Sequence, residues 1–115
     1  MTQDCLFCKM VRGEIEPRWV HRDDQVSAFH DVNPQAPIHI LIIPNKHIAT
    51  LNDLAPEDGE LMGHLFAVCR DLARQLGIAE EGYRTVFNCN GNGGQSVYHI
   101  HLHLLAGRQM LWPPG

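Results

Sequence analysis

The chain has no long apolar run, no basic stretch, no internal repeat and few cysteines. Each absence removes a class of protein. The longest apolar run is Ile40-Leu41-Ile42-Ile43, whereas a membrane-spanning helix needs about 20 such residues. No membrane partner is expected. Formal net charge is −4 and the basic residues are not clustered, which argues against a nucleic-acid backbone as partner. A small anionic substrate stays open, because one local set of donors holds a phosphate inside an acidic protein. Met1-Thr2-Gln3-Asp4-Cys5 lacks a basic region followed by an apolar one, so no secretory signal is expected. The cysteines are Cys5, Cys8, Cys69 and Cys89. Without such a signal, a disulfide framework is not expected and the cytoplasm is the expected compartment. The 115 residues have an ordinary globular composition and suit one domain spanning residues 1–115.

What the chain does have is Tyr98-His99-Ile100-His101-Leu102-His103-Leu104-Leu105. Histidines alternate with bulky apolar residues, which predicts a β-strand. Successive side chains on a strand point to opposite faces. His99, His101 and His103 then share one face, and Tyr98, Ile100, Leu102 and Leu104 share the other. Same-face neighbours lie about 7 Å apart and the outer pair about 13 Å apart. With ligand bonds of about 2 Å, two neighbours can share one ion but the first and third cannot. At least one histidine must do something other than ligate.

Cys5 to Arg12 reads as a short helix stopped by Gly13, with Cys5 and Cys8 on one side. Such a pair is half a zinc site, a redox pair or two inert buried thiols. Arg18 to His21 and Gln25 to His30 read as a hairpin around Arg22-Asp23-Asp24. Asp31 stands at the start of a proline-containing loop, where a carboxylate either caps a turn or accepts a ribose diol. Ile38 to Ile43 suits a central strand covered on both faces. Its exception, His39, reads as a satisfied buried histidine, and His47 as a surface residue. Leu54 to Leu76 has the strongest helical pattern: Pro56 in the first turn, then Leu61, Leu65, Val68, Leu72 and Leu76 on one face, then Gly77 as cap. His64, Met62 and Cys69 read as packing or surface residues. Arg84 to Asn88 is a further strand, and Cys89 to Ser96 a glycine-rich loop without the lysine of a Walker A motif. Pro113 and Pro114 forbid regular structure in the tail, where Trp112 reads as a packing anchor, on this chain or on a second one.

A neutral imidazole is a nucleophile as well as a base. Attack on phosphorus gives a labile phospho-imidazole that water cleaves. The middle histidine, His101, suits that role. His103 suits donation of a proton or hydrogen bond to a phosphate oxygen or leaving group. Ser96 and the N–H groups of Gly94 to Val97 suit the phosphoryl oxygens. His99 is left for another task, and with Cys5, Cys8 and His47 it would complete a tetrahedral site of two thiolates and two imidazoles.

The segment His99-Ile100-His101-Leu102-His103-Leu104-Leu105 resembles the signature of the histidine triad (HIT) family. Gly93-Gly94-Gln95-Ser96-Val97-Tyr98, Phe29-His30-Asp31, Pro34-Gln35-Ala36-Pro37 and Trp112-Pro113-Pro114-Gly115 are similar to its Hint branch. The resemblance implies an α+β fold: a five-stranded antiparallel sheet with one long and one short helix, in a homodimer that joins two sheets. It implies a hydrolase that cleaves the P–N bond of purine nucleoside phosphoramidates, and aminoacyl-adenylates as well, releasing AMP or GMP through a nucleotidyl-histidine. No metal is needed for that chemistry. By position in the motifs, His101 is the nucleophile, His103 and Ser96 assist at the phosphate and leaving group, and His39 supports them. Asp31 binds the ribose. Leu6, Phe7, Phe29, His30 and Val32 line the base pocket. Asn88, Gly94, Gln95 and Val97 border the phosphate, and Trp112 reaches a neighbouring subunit's site. Some members bind structural zinc through residues matching Cys5, Cys8, His47 and His99, so zinc is expected here.

Three rival readings predict different outcomes. A dinucleoside polyphosphate hydrolase would prefer diadenosine polyphosphates to phosphoramidates. A nucleotide-binding scaffold would keep its role in His101→Ala. A zinc hydrolase using the triad as ligands would lose activity on chelation.

Overall fold

The computed structural model describes residues 4–115, so Met1, Thr2 and Gln3, part of the stretch read for a secretory signal, lie outside it. The elements run α1 (Leu6–Val11), β1 (Trp19–Arg22), β2 (Val26–His30), β3 (Ile38–Pro44), α2 (Gly59–Gln75), β4 (Arg84–Val86), α3 (Asn90–Gly93) and β5 (Leu102–Ala106). The strands form one antiparallel sheet in the order β1-β2-β3-β5-β4. The expected α+β architecture is the observed one, with α3 as an extra single turn.

Alternation along the strands sends side chains to two separate cores. Val26, Ala28, Ile40, Ile42, Leu102 and Leu104 face α2, where Leu65, Val68, Cys69, Leu72 and Ala73 meet them. Leu65 is fully buried, and its truncation to Ala would cost about 2–5 kcal/mol. Phe29, Leu41 and Ile43 face the other way and pack on Cys5, Phe7, Cys8 and Met10 around α1. As the central strand, β3 is covered on both faces, which is why its sequence is almost entirely apolar. Its one histidine, His39, therefore enters the α1 side. His103 of β5, paired with Leu41, enters the same side.

Gly13 and Gly77 do end α1 and α2, at φ +83° and +73°. The long helix, however, does not begin at Leu54. Two 3₁₀ turns, Leu51–Asp53 and Pro56–Asp58, come first. Asp58 is buried and accepts from the Ala55 N–H and the Lys46 ammonium, holding the chain in that tighter turn. Leu76, expected on the apolar face, caps the helix half-exposed.

The histidine stretch also differs from expectation. β5 starts at Leu102, so only His103 of the three is on a strand. The chain leaves the ladder before its neighbour ends. β3 ends at Pro44 and its ladder to β5 stops at the Ile42–Leu102 pair. Upstream, the Ile100 N–H turns to the Ile48 carbonyl instead. Ile100 is still buried, but Tyr98 is half-exposed rather than packed beneath it. The strand expected over Arg84 to Asn88 is likewise shorter, ending at Val86.

Candidate active site

The short strand has a useful consequence. Freed from the ladder, His101 brings its ring centroid to 4.9 Å from that of His103, closer than the ~7 Å of extended-strand neighbours. His101 is buried and its Nδ1–H donates to the His99 carbonyl at 2.9 Å. A neutral imidazole carries one proton. Nε2 of His101 is therefore a bare lone pair. Burial lowers the pKa of His101, against an opposing pull from that carbonyl and from Asp31. Burial also lowers His103, to about 4, with His101 and His39 adding to the effect. Both rings are neutral near pH 7.

His103 Nδ1 lies 2.9 Å from His39 Nε2, and His39 Nδ1 accepts the Gln35 main-chain N–H at 3.0 Å. His39 is the satisfied buried histidine expected. Asp31 caps the turn, as one of its two readings expected, and has a carboxylate oxygen left over. Its Oδ1 accepts from the Asn33 N–H, capping the loop, and its Oδ2 stands 3.4 Å from His39 Nε2.

A cavity of about 200 Å³ opens onto these histidines. Leu6, Phe7, Phe29, His30, Asp31, Val32, Ser96, Val97, His101 and His103, all expected at the site, line it. Phe7 stands edge-on to Phe29 at 5.4 Å and to His101 at 5.2 Å. Met10, Pro17 and Leu41 line it too and were not anticipated. Leu41 shares the strand face of His39, so the period of β3 was a usable signal. Not all expected residues meet there. Asn88 and Gly94 are not among the lining residues, and Gly94 takes φ +77° to close α3. Gln95 turns inward, accepting from the Asn90 N–H and donating to the Ala49 and Val97 carbonyls, so it braces the loop. Trp112 is 81% exposed, away from this cavity, with the Arg84 guanidinium 5.9 Å from its ring centroid.

Near His101 the structure gathers Cys5, Cys8, His47 and His99, whose donor atoms all lie within 4.8 Å of one another. His47 is no mere surface residue. Its Nδ1 is 3.3 Å from Cys8 Sγ, and His99 Nδ1 is 3.4 and 3.5 Å from the sulfurs of Cys5 and Cys8. A tetrahedral ion with S and N ligands sets S···N edges near 3.6 Å. The proton of His99 sits on Nε2, donated to the Pro44 carbonyl at 2.7 Å, so Nδ1 turns a lone pair to the thiols. Burial, with Cys5 beside it, pushes the Cys8 thiol up to about 11. Ionising it at neutral pH takes a cation. These four residues fit a metal ion.

A family model described as HIT domain matches residues 12–110. The chain is 50% identical over 110 residues to a purine nucleoside phosphoramidase of Escherichia coli, covering 96% of this chain and 92% of that protein. Among solved structures it is similar to a HIT family hydrolase from Legionella pneumophila, with TM-score 0.96 and 56% identity over 97% of this chain and 100% of that one. A histidine triad protein from Clostridium difficile gives TM-score 0.91 and 42% identity over 94% of each chain.

Proposed function

The chain belongs to the HIT domain family, and from that premise we propose that it is a hydrolase of purine nucleoside phosphoramidates and aminoacyl-adenylates. The single observation that carries this is the bare Nε2 of His101, held by the His99 carbonyl and facing a cavity lined by apolar rings and one carboxylate. The phosphoramidase name of the Escherichia coli relative supports the P–N bond as target.

In the first step His101 Nε2 attacks phosphorus and a P–N bond to the ring forms. In a phosphoramidate the P–N bond to the leaving amine breaks and its electron pair stays on the amine nitrogen, which takes a proton from solvent. In an aminoacyl-adenylate the P–O bond breaks and the pair stays on the departing carboxylate. Water then attacks the nucleotidyl-imidazole, the ring departs with its electron pair, and AMP or GMP is released. Burial suits this sequence, because a neutral ring is the competent nucleophile. His103 and Ser96 hold phosphoryl oxygens, helped by the amides of Gly94 to Val97, and His39 supports His103. Asp31 accepts the ribose hydroxyls. Leu6, Phe7, Phe29, His30 and Val32 enclose the base.

Cys5, Cys8, His47 and His99 would hold structural zinc, which would tie α1 to the turn after β3. The chemistry needs no metal. One HIT domain spans residues 1–115 and works as a homodimer. Trp112, exposed on its own chain, would serve the site of the second copy. No helix among the described residues is long and apolar enough to cross a membrane, and the four cysteines are free, as in the reducing cytoplasm.

The decisive experiment is brief incubation with an adenosine phosphoramidate, acid-free quenching and mass mapping of the chain. A nucleotidyl adduct on His101, absent in His101→Ala, is the expected result. Normal turnover by His101→Ala would overturn the reading.

A further inference from the structure

One buried polar side-chain atom among the described residues has no hydrogen-bond partner: His103 Nε2. What that atom offers a substrate depends on whether it carries a proton. The answer starts two residues away in space. The Gln35 main-chain N–H donates to His39 Nδ1 at 3.0 Å. A nitrogen that accepts has no proton, so a neutral His39 carries its proton on Nε2. That proton faces His103 Nδ1, 2.9 Å away, which must then be the acceptor. The proton of His103 is left on Nε2. Burial keeps both rings neutral, with Asp31 pulling weakly the other way.

We propose that the Gln35 main-chain amide is a positioning group: it sets the order of protons across His39 and His103, so that His103 presents an N–H to the phosphoryl group. The proposal rests on the phosphoryl-transfer reading above for its function, but not for its geometry. An N–H aimed at a phosphoryl oxygen stabilises charge as it develops there. A bare nitrogen in the same place would repel it. The same order disfavours an imidazolium at His103. A second proton would have to sit on Nδ1, pointing at the N–H of His39. His103 therefore assists by hydrogen bonding, and the departing amine takes its proton elsewhere.

The order also settles a competition for metal. Asp31, His39 and His103 bring three donor atoms within 4.8 Å of one another. The 3.4 Å between Asp31 Oδ2 and His39 Nε2 matches the ~3.3 Å edge of a tetrahedral ion with N and O ligands. By composition this is a second metal site, inside the catalytic cavity. A metal on His39 Nε2 would force its proton to Nδ1, against the Gln35 N–H. The amide thus guards the catalytic histidines, while His99, whose Nε2 proton goes to the Pro44 carbonyl, keeps Nδ1 free to ligate.

The test is ¹⁵N NMR of histidine-labelled protein, which separates a pyrrole-type from a pyridine-type ring nitrogen, joined to kinetics. In the wild type both His39 and His103 should show a pyrrole-type Nε2 and a pyridine-type Nδ1. Gln35→Ala, which keeps the amide, should preserve that pattern. Gln35→Pro, which removes the N–H, should mix the tautomers of both rings. Relative to Gln35→Ala it should lower kcat about 10- to 100-fold, leave the Kd for AMP little changed, and become sensitive to inhibition by added zinc. Should Gln35→Pro fail to fold, His39→Gln and His39→Leu replace it. The Gln amide can still donate to His103 Nδ1, so His39→Gln should keep the His103 pattern and exceed His39→Leu in kcat. A pyridine-type Nε2 on wild-type His103 overturns the proposal whatever the activity. So does a tautomer pattern that Gln35→Pro leaves intact in a folded protein. If the protein cleaves no phosphoramidate, the functional reading fails while the ring spectra still decide the proton order.

Discussion

The main-chain oxygen of His99 lies 2.9 Å from Nδ1 of His101, while the side chain of His99 points its own Nδ1 at Cys5 and Cys8. One residue thus touches two places, with its backbone on the proposed nucleophile and its ring among the four residues that fit a metal. Because the backbone contact survives loss of the ring's ligands, the two sites should separate on mutation.

Cys5→Ala should therefore lose metal, by elemental analysis, and lose at least about 2 kcal/mol of stability. Cleavage should persist, reduced about ten-fold or less, because His101 keeps its carbonyl acceptor. Full metal content in the variant, or no turnover from a folded variant, would defeat this account.

The split between these sites shows what was legible in the residues and what was not. The nearly all-apolar run of β3, covered on both faces, and the helical spacing in α2 were readable, because packing acts on the same pattern that the residues carry. The identity of the cavity wall was readable from Phe29-His30-Asp31 and the triad through family resemblance. The true start of β5 was not, because the pairing with β3 stops at Ile42–Leu102, before β3 itself ends at Pro44, and the Ile100 N–H goes to Ile48 instead. His47 sits in a polar turn with nothing local to mark it, and only the fold brings it to Cys8. The Gln35 contact uses a main-chain N–H that every residue but proline has, so no residue type signals it.

Asp31 offers a carboxylate at the cavity wall, with Oδ1 occupied by Asn33 and Oδ2 toward His39. Asp31→Asn should cut kcat/KM for a ribonucleotide phosphoramidate about 10- to 100-fold, since hydrogen bonds to charged groups are worth about 1.5–3 kcal/mol. For the 2′,3′-dideoxy analogue the same substitution should change little. Equal losses on both substrates would show that Asp31 acts on loop structure rather than on the ribose.

His103 links the site to stability. Its folded pKa is lowered from 6.5 to about 4, chiefly by burial. As pH falls below 6.5 the unfolded chain takes up this proton and the folded chain does not. Stability is thus complete above pH 6.5 and is lost progressively toward pH 4. Between pH 7 and pH 5 the loss from this residue is about 2 kcal/mol. Urea titrations should show His103→Gln flattening the acid slope by that amount. An unchanged slope would mean that the ring is protonated in the fold.

Far from the cavity, Asp23 joins the β1–β2 turn to α2. Its Oδ2 is 2.6 Å from His21 Nε2 and 2.8 Å from His64 Nε2, and its Oδ1 accepts the N–H groups of Gln25 and Val26 at 2.8 Å. Burial raises its pKa, but these four donors outweigh it and hold the carboxyl well below the usual range. A depressed carboxylate pKa stabilises the fold above the unfolded value, about 4, and the gain is lost as pH falls toward the folded value. Asp23→Asn keeps the shape but removes the charge that the donors share. It should cost about 1–3 kcal/mol at pH 7, with activity preserved at temperatures where the variant is folded. Below about pH 4 the gap to the wild type should narrow, because the unfolded wild-type chain takes up a proton at this carboxyl while the fold keeps it charged, and that part of the stability is lost. His64→Ala should remove only part of the effect, since three of the four donors remain. Denaturation curves at pH 7 and pH 3 check both outcomes. A gap that widens in acid would mean that the histidines, not the carboxylate, hold this corner together.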